Sequence, residues 1–136
     1  MNAPPAWMPS ALQGATVLPA GVHWDAVRLP LGRGMPVVDV LPTTPVIRNQ
    51  ATMPAGSLAW LIPVGSADTW PDLRQVDVLR GTRAGRRLTV PAATEVWTRW
   101  DGGPATSWRI PPRGQPLADP AALLAALDRV LGGALR

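Results

Sequence analysis

From residue 22 onward the apolar positions fall into short runs that stop at Pro or Gly, and the last run repeats at helical spacing over the longest stretch. Val22 to Leu29 alternates imperfectly and ends at Pro30, which predicts a first strand. Gly34-Met35-Pro36 reads as a helix start with Pro in its first turn, and Val37, Val38, Val40 and Leu41 follow at helical spacing. The three Val argue equally for a strand; a short helix over 36–41 is favoured. Thr44 to Ile47 is short and apolar, whereas Leu58-Ala59-Trp60-Leu61-Ile62 is a continuous apolar run between Gly56 and Pro63. The second run predicts a central strand buried on both faces, with a hairpin-like loop over Arg48 to Gly56 before it.

Two further pairs of runs read as hairpins. Val76 to Arg80 and Arg87 to Val90 flank Gly81-Thr82-Arg83-Ala84-Gly85, where two Gly bracket a connection of hairpin length with a basic tip. Glu95 to Trp100 and Thr106 to Ile110 flank Asp101-Gly102-Gly103, and Asp-Gly is a strong hairpin signal because both turn positions tolerate positive φ. Thr106, Trp108 and Ile110 then share one face at period two, as core-facing residues do. After Pro111-Pro112, Asp119-Pro120 supplies an N-cap and a first helical residue. Leu123, Leu124, Leu127, Val130 and Leu131 line one face of an amphipathic helix that closes at Gly132-Gly133.

These elements predict an α+β fold: a mainly antiparallel sheet of about five to six strands, with the C-terminal amphipathic helix packed on one face. A length of 136 residues fits one domain, placed at 20–136. Residues 1–19, rich in Ala and Pro, read as a flexible arm whose Trp7, Met8 and Leu12 are suited to docking on the body. That arm lacks the charged start and unbroken apolar stretch of a secretory signal, and no run reaches membrane-spanning length. With no Cys, the chain holds neither disulfide nor thiolate zinc site, and a soluble, cytoplasmic protein is expected.

Charge sharpens the picture. All thirteen basic residues are Arg and all seven aromatics are Trp. Residues 1–73 carry three Arg against four Asp, residues 74–113 carry eight Arg against Asp77, Glu95 and Asp101, and residues 114–136 balance, so the net +4 originates in the middle segment. Such asymmetry bears on anionic partners. Arg80, Arg83, Arg86 and Arg87 gather at the first hairpin, with Trp97, Arg99 and Trp100 on the next strand and Arg109 opposite. A guanidinium fork matches a phosphate bidentately, and an indole face stacks on a base. These eight residues are the candidate anion- or partner-binding site; the bland alternative is a solvated, Arg-decorated sheet face. Trp60 and Trp108 read as core.

Catalytic chemistry finds little support. His23 is the single His; its spacing to Asp25 puts both on one strand face, and a hydrogen-bonded structural role is the better reading. Nucleophilic triads need a His beside a nucleophile, two-metal sites need closely spaced carboxylates, and a P-loop needs Lys. Gly32-Arg33-Gly34 is a weak phosphate loop because it follows a turn. No catalytic residue, metal or cofactor is expected.

The ordered series Trp24-Asp25-Ala26-Val27-Arg28, Thr44-Pro45-Val46-Ile47, Ala59-Trp60-Leu61-Ile62-Pro63-Val64-Gly65 with Trp70, Val76-Asp77-Val78-Leu79, Leu88-Thr89-Val90-Pro91-Ala92 and Ser107-Trp108-Arg109-Ile110-Pro111-Pro112 resembles a group of short, uncharacterised high-GC actinobacterial proteins. More faintly, it resembles the C-terminal half of the bifunctional DNA primase/polymerase domain, without its catalytic half. That resemblance implies an α+β half-domain of nucleotide-handling ancestry. The acidic metal ligands of such a polymerase have no counterpart here, and Ala92 stands where a second Pro would follow Pro91, so no catalytic residue carries over.

Two function classes follow. The first is a non-catalytic regulatory or protein-interaction module with a protein partner; the second is a nucleotide or single-stranded DNA binder using the Arg/Trp hairpins. The modest net charge, with nine interspersed acidic residues, favours the first. A homo-oligomer through the N-terminal arm stays open.

Overall fold

The computed structural model describes residues 4–50, 56–73, 75–81, 86–97 and 105–132. In chain order the elements are β1 (Thr16–Pro19), β2 (Asp25–Pro30), α1 (Leu31–Val40), β3 (Val46–Asn49), β4 (Ser57–Ile62), β5 (Asp77–Leu79), β6 (Arg87–Val90), β7 (Thr106–Ile110) and α2 (Pro120–Leu131). Five strands form one antiparallel sheet in the order β5-β2-β4-β3-β7, and β1 pairs with β6 in a second, two-stranded sheet. The class is the α+β fold that the sequence predicts.

The apolar run of β4 lies at the centre, and all six of its residues are buried. Its alternation sorts the molecule into two cores. Leu58, Trp60 and Ile62 meet Val27, Leu29, Val37, Val38, Leu123 and Leu127 beneath the helices. Ala59 and Leu61 meet Trp24, Ala26, Ile47, Leu79, Leu88, Val90 and Trp108 on the opposite side, where β1 and β6 close the layer. A strand covered on both faces has no polar side to show, which is why this run does not alternate.

The helix predicted over 36–41 begins earlier, at Leu31, and Pro36 lies inside it. Two Gly and a Pro give this segment poor intrinsic propensity, so packing decides its state. A Cβ on Gly34 would stand 2.8 Å from Leu58 Cδ1, so the missing side chain is what lets α1 sit against β4. The Leu31 N–H donates to the Gly56 carbonyl at 3.1 Å and joins the helix start to the turn before β4. Helix α2 follows the sequence reading closely. The Asp119 carboxylate accepts from the Ala121 N–H, Pro120 opens the helix, and Leu123, Ala126 and Leu127 are buried.

Three expectations need correction. In the arm placed at 1–19, Thr16–Pro19 is strand β1 and Leu12 is exposed instead of docked, whereas Met8 is buried in the second core and Trp7 stacks on His23, as their docking would require. Because β1 takes up β6, the hairpin predicted for Val76–Arg80 and Arg87–Val90 does not form. β5 pairs with β2 instead, Asp77 opposite Arg28. The second hairpin is also replaced. Val96 bridges Trp108 in parallel, with the Trp97 N–H donating to the Trp108 carbonyl at 2.9 Å and the Trp108 N–H to the Glu95 carbonyl at 2.7 Å. The expected Asp101-Gly102-Gly103 turn lies outside the described residues.

Strand β7 departs from strict alternation as well. Ile110 faces Val46 and Trp108 faces Ile47, so a register shift between Val46 and Ile47 makes Arg109 an extra residue. The bulge sends Trp108 to one core and Ile110 to the other, and the single face expected for Thr106, Trp108 and Ile110 breaks there.

Candidate functional site

The two edges of the five-stranded sheet gather several of the described Arg and Trp into separate places. At the first edge, β5 covers only Ala26, Val27 and Arg28 of β2, so Leu29 and Pro30 run on without a neighbour on that side. A cavity of about 840 Å³ occupies this gap, floored by Leu29, Pro30 and Val76 and flanked by Arg28, Arg33 and Gln75. A second cavity of about 590 Å³ lies between β5 and the segment carrying Ala67, Asp68, Trp70 and Leu73. Val76 and Asp77 line both, so the two form one groove along the β5 edge. Gln75 has φ 65°, the only positive φ of a non-glycine among the described residues, and it lines the groove. Side chains rarely accept that conformation, and such positions cluster at working surfaces.

Most of the groove's charge is internally compensated. Asp77 accepts from Arg28 Nη2 at 2.6 Å through Oδ2 and from Arg86 Nη1 at 3.1 Å through Oδ1. Arg80 Nη1 reaches Asp68 Oδ1 and the Ala67 carbonyl, each at 3.3 Å. Arg33 is exposed and has no ion pair among the described residues; Asp72, also exposed, has none either. Among the described residues the groove therefore offers one cation without an ion pair beside its β2 end, Arg33, and one such carboxylate beside Trp70, Asp72.

At the other edge, the guanidinium carbons of Arg48 and Arg109 lie 5.3 and 4.8 Å from the Trp97 ring centroid. An indole face attracts cations electrostatically, which accounts for the contacts. Neither guanidinium has an acidic partner among the described residues.

The predicted site is thus divided. Arg80 and Arg86 line the β5 groove, Arg109 and Trp97 stand at the β7 edge, and Arg87 is exposed on β6. Arg83, Arg99 and Trp100 lie outside the described residues. Sequence reasoning missed Arg28, Arg33, Trp70 and Asp77 in the groove and Arg48 beside Trp97. The alternation of Val76-Asp77-Val78 with Arg28 between Val27 and Leu29 was a usable signal for the cross-strand pair, since a polar residue flanked by core positions points away from that core.

His23 and Asp25, placed on one face by the sequence reading, separate. His23 is exposed against Trp7 before β2 begins, while Asp25 is buried and its Oδ2 accepts from the Gly65 N–H at 2.9 Å. Among the described residues no group of three or more His, Cys, Asp or Glu is placed to hold a metal ion, and no helix is long and apolar enough to cross a membrane. The chain matches no family model, no curated protein and no solved structure.

Proposed function

We propose that the protein is a non-catalytic interaction module of the cytoplasm that takes an extended peptide segment of a partner protein along the β5 edge. The observation that carries this reading is the continuous groove on the unpaired side of a three-residue edge strand. A sheet edge presents backbone donors and acceptors that an added strand can satisfy, and flanking pockets then select its side chains. Charge complementarity sets the occupant's direction: a carboxylate toward Arg33, an apolar side chain over Leu29 and Val76, and a basic side chain toward Asp72.

The single-stranded nucleic-acid reading loses support at this edge. A phosphate track needs free cations in series, whereas Arg28, Arg80 and Arg86 are occupied by Asp77 and Asp68. Selection of displayed peptides followed by amide shift mapping tests the proposal. Peptides that bind should shift Asp77, Val78 and Leu79, and Arg33→Glu should weaken them about tenfold, the cost of one lost charge contact. Selected peptides that map to another face, or a selection that enriches nothing, would overturn it.

A further inference from the structure

The β7 edge carries a second site, independent of the groove. Along β3, Val46 enters the helix-side core and Ile47 the opposite core, so Arg48 returns to the helix side of the sheet. Its cross-strand partner is Ser107, and the two side chains share that face. Helix α1 packs over β2 and β4, and this end of the face is furnished instead by Trp97 and by Arg109, the residue that the β7 bulge adds.

Three features of this cluster are unsatisfied. Two guanidiniums converge on one indole ring, and no carboxylate among the described residues neutralises either. Among the described residues, Arg48 Nε is buried without a hydrogen-bond partner. Ser107, at 0 % exposure, has a buried Oγ that is likewise unpartnered. Buried donors are nearly always paired, and two guanidiniums gathered at one ring repel each other less when an anion joins them.

We infer that Arg48, Arg109 and Ser107 form an oxyanion site for a phosphate-type dianion, either free phosphate or a phosphomonoester. Two guanidinium forks and a hydroxyl supply donors to several oxygens of one tetrahedral group. Trp97 serves as the wall that holds the forks in place.

The test is a titration of the full chain with inorganic phosphate, sulfate and O-phosphoserine at constant ionic strength, following the Trp97 indole N–H resonance assigned by its loss in Trp97→Phe. Saturable shifts are expected. Arg109→Gln and Arg48→Gln should each weaken binding about tenfold or more, whereas Arg113→Gln, at an exposed position, should not change it. Arg109 lies on a bulge, so its variant tests the site even where a change at Arg48 impairs folding. Phosphate should bind more tightly as pH rises through its second ionisation, near about 6 for a phosphomonoester, and sulfate should show no such rise. Tighter binding of O-phosphoserine assigns the source to a phosphomonoester, and tighter binding of inorganic phosphate to the free ion. No saturable shift with any of the three, or binding indifferent to both Arg substitutions, would overturn the inference.

Discussion

At the β5 edge Asp77 stands between Arg28 and Arg86, and Asp68 meets Arg80; at the β7 edge Arg48 and Arg109 meet an indole and, among the described residues, no carboxylate. Both edges are built from the same residue types. The difference is that, among the described residues, the first has its countercharges and the second lacks them. Charge clustered along a sequence is therefore a poor guide to charge clustered in space. Asp68 comes from the slightly acidic first part of the chain and neutralises an Arg of the basic segment, while Arg48, from that same acidic part, is among those left uncompensated.

The two edges are also held differently, and the largest predicted effects break them one at a time. Trp108 anchors β7 with 0 % exposure, and its indole N–H donates to the Pro91 carbonyl at 3.3 Å. Trp108→Ala should cost about 4 kcal/mol in urea denaturation, as large buried aromatics do. Trp60 is equally buried, but its Nε1 has no hydrogen-bond partner. Trp60→Phe should therefore cost less than Trp108→Phe; the reverse order would show that the Pro91 hydrogen bond contributes nothing.

The β5 edge is pinned through backbone. Gly21 has φ 86°, and a Cβ there would meet the carbonyl carbon and oxygen of Gly81 at 2.5 Å. Gly21→Ala adds a strained conformation to a clash with atoms that cannot rotate away, and a loss of about 3 kcal/mol is expected. Amide exchange should quicken at Asp77 to Leu79 and stay unchanged at Thr106 to Ile110. Equal quickening at both edges would show that they are not held separately.

These anchors indicate what was legible in the sequence. β4 and α2 could be read because each satisfies a local rule: an unbroken apolar run for a strand covered on both faces, and Asp119-Pro120 followed by Leu at helical spacing. The hairpins could not, because pairing is a competition among strands distant in sequence. Two Gly around residues 81–85 permit a tight turn, but β1 offers β6 a partner and Arg28 offers Asp77 one. The bulge at Arg109 was equally hidden, since nothing in Thr106 to Ile110 marks where alternation breaks. At the candidate site, the placement of Arg and Trp along the sequence points to Arg80, Arg86, Arg109 and Trp97, but Asp77, whose carboxylate pairs with two of the Arg, reads only as a strand residue.

A smaller substitution addresses compensation at the β5 edge. Removing the carboxylate in Asp77→Ala leaves Arg28 and Arg86 side by side without a partner. All three side chains are between 29 % and 40 % exposed, so solvent screens the interaction and a loss of about 1 kcal/mol is expected. The loss should shrink as salt is raised, because screening weakens both the pair in the parent and the repulsion in the variant. A loss of several kcal/mol, indifferent to salt, would mean that Asp77 acts through packing.

The smallest expected change is the most discriminating between the edges. Arg48→Met or Arg109→Met removes one of two like charges at Trp97 while keeping an unbranched stem that can still cover the ring. At the β5 edge the same substitution, Arg28→Met, breaks a pair and should cost about 0.5–1 kcal/mol. At the β7 edge the lost cation–π contact, about 0.5–1 kcal/mol, is offset by relief of repulsion and of a buried unpaired donor. The net change should fall within about 0.5 kcal/mol of zero, with Arg48→Met the more favourable of the two because its Nε is the buried one. Adding phosphate should then stabilise the parent against urea and leave both variants unmoved, since a ligand stabilises only the fold that binds it. A clear loss of stability for both variants without any added anion would mean that Arg48 and Arg109 are already compensated, and the contrast between the edges would fail.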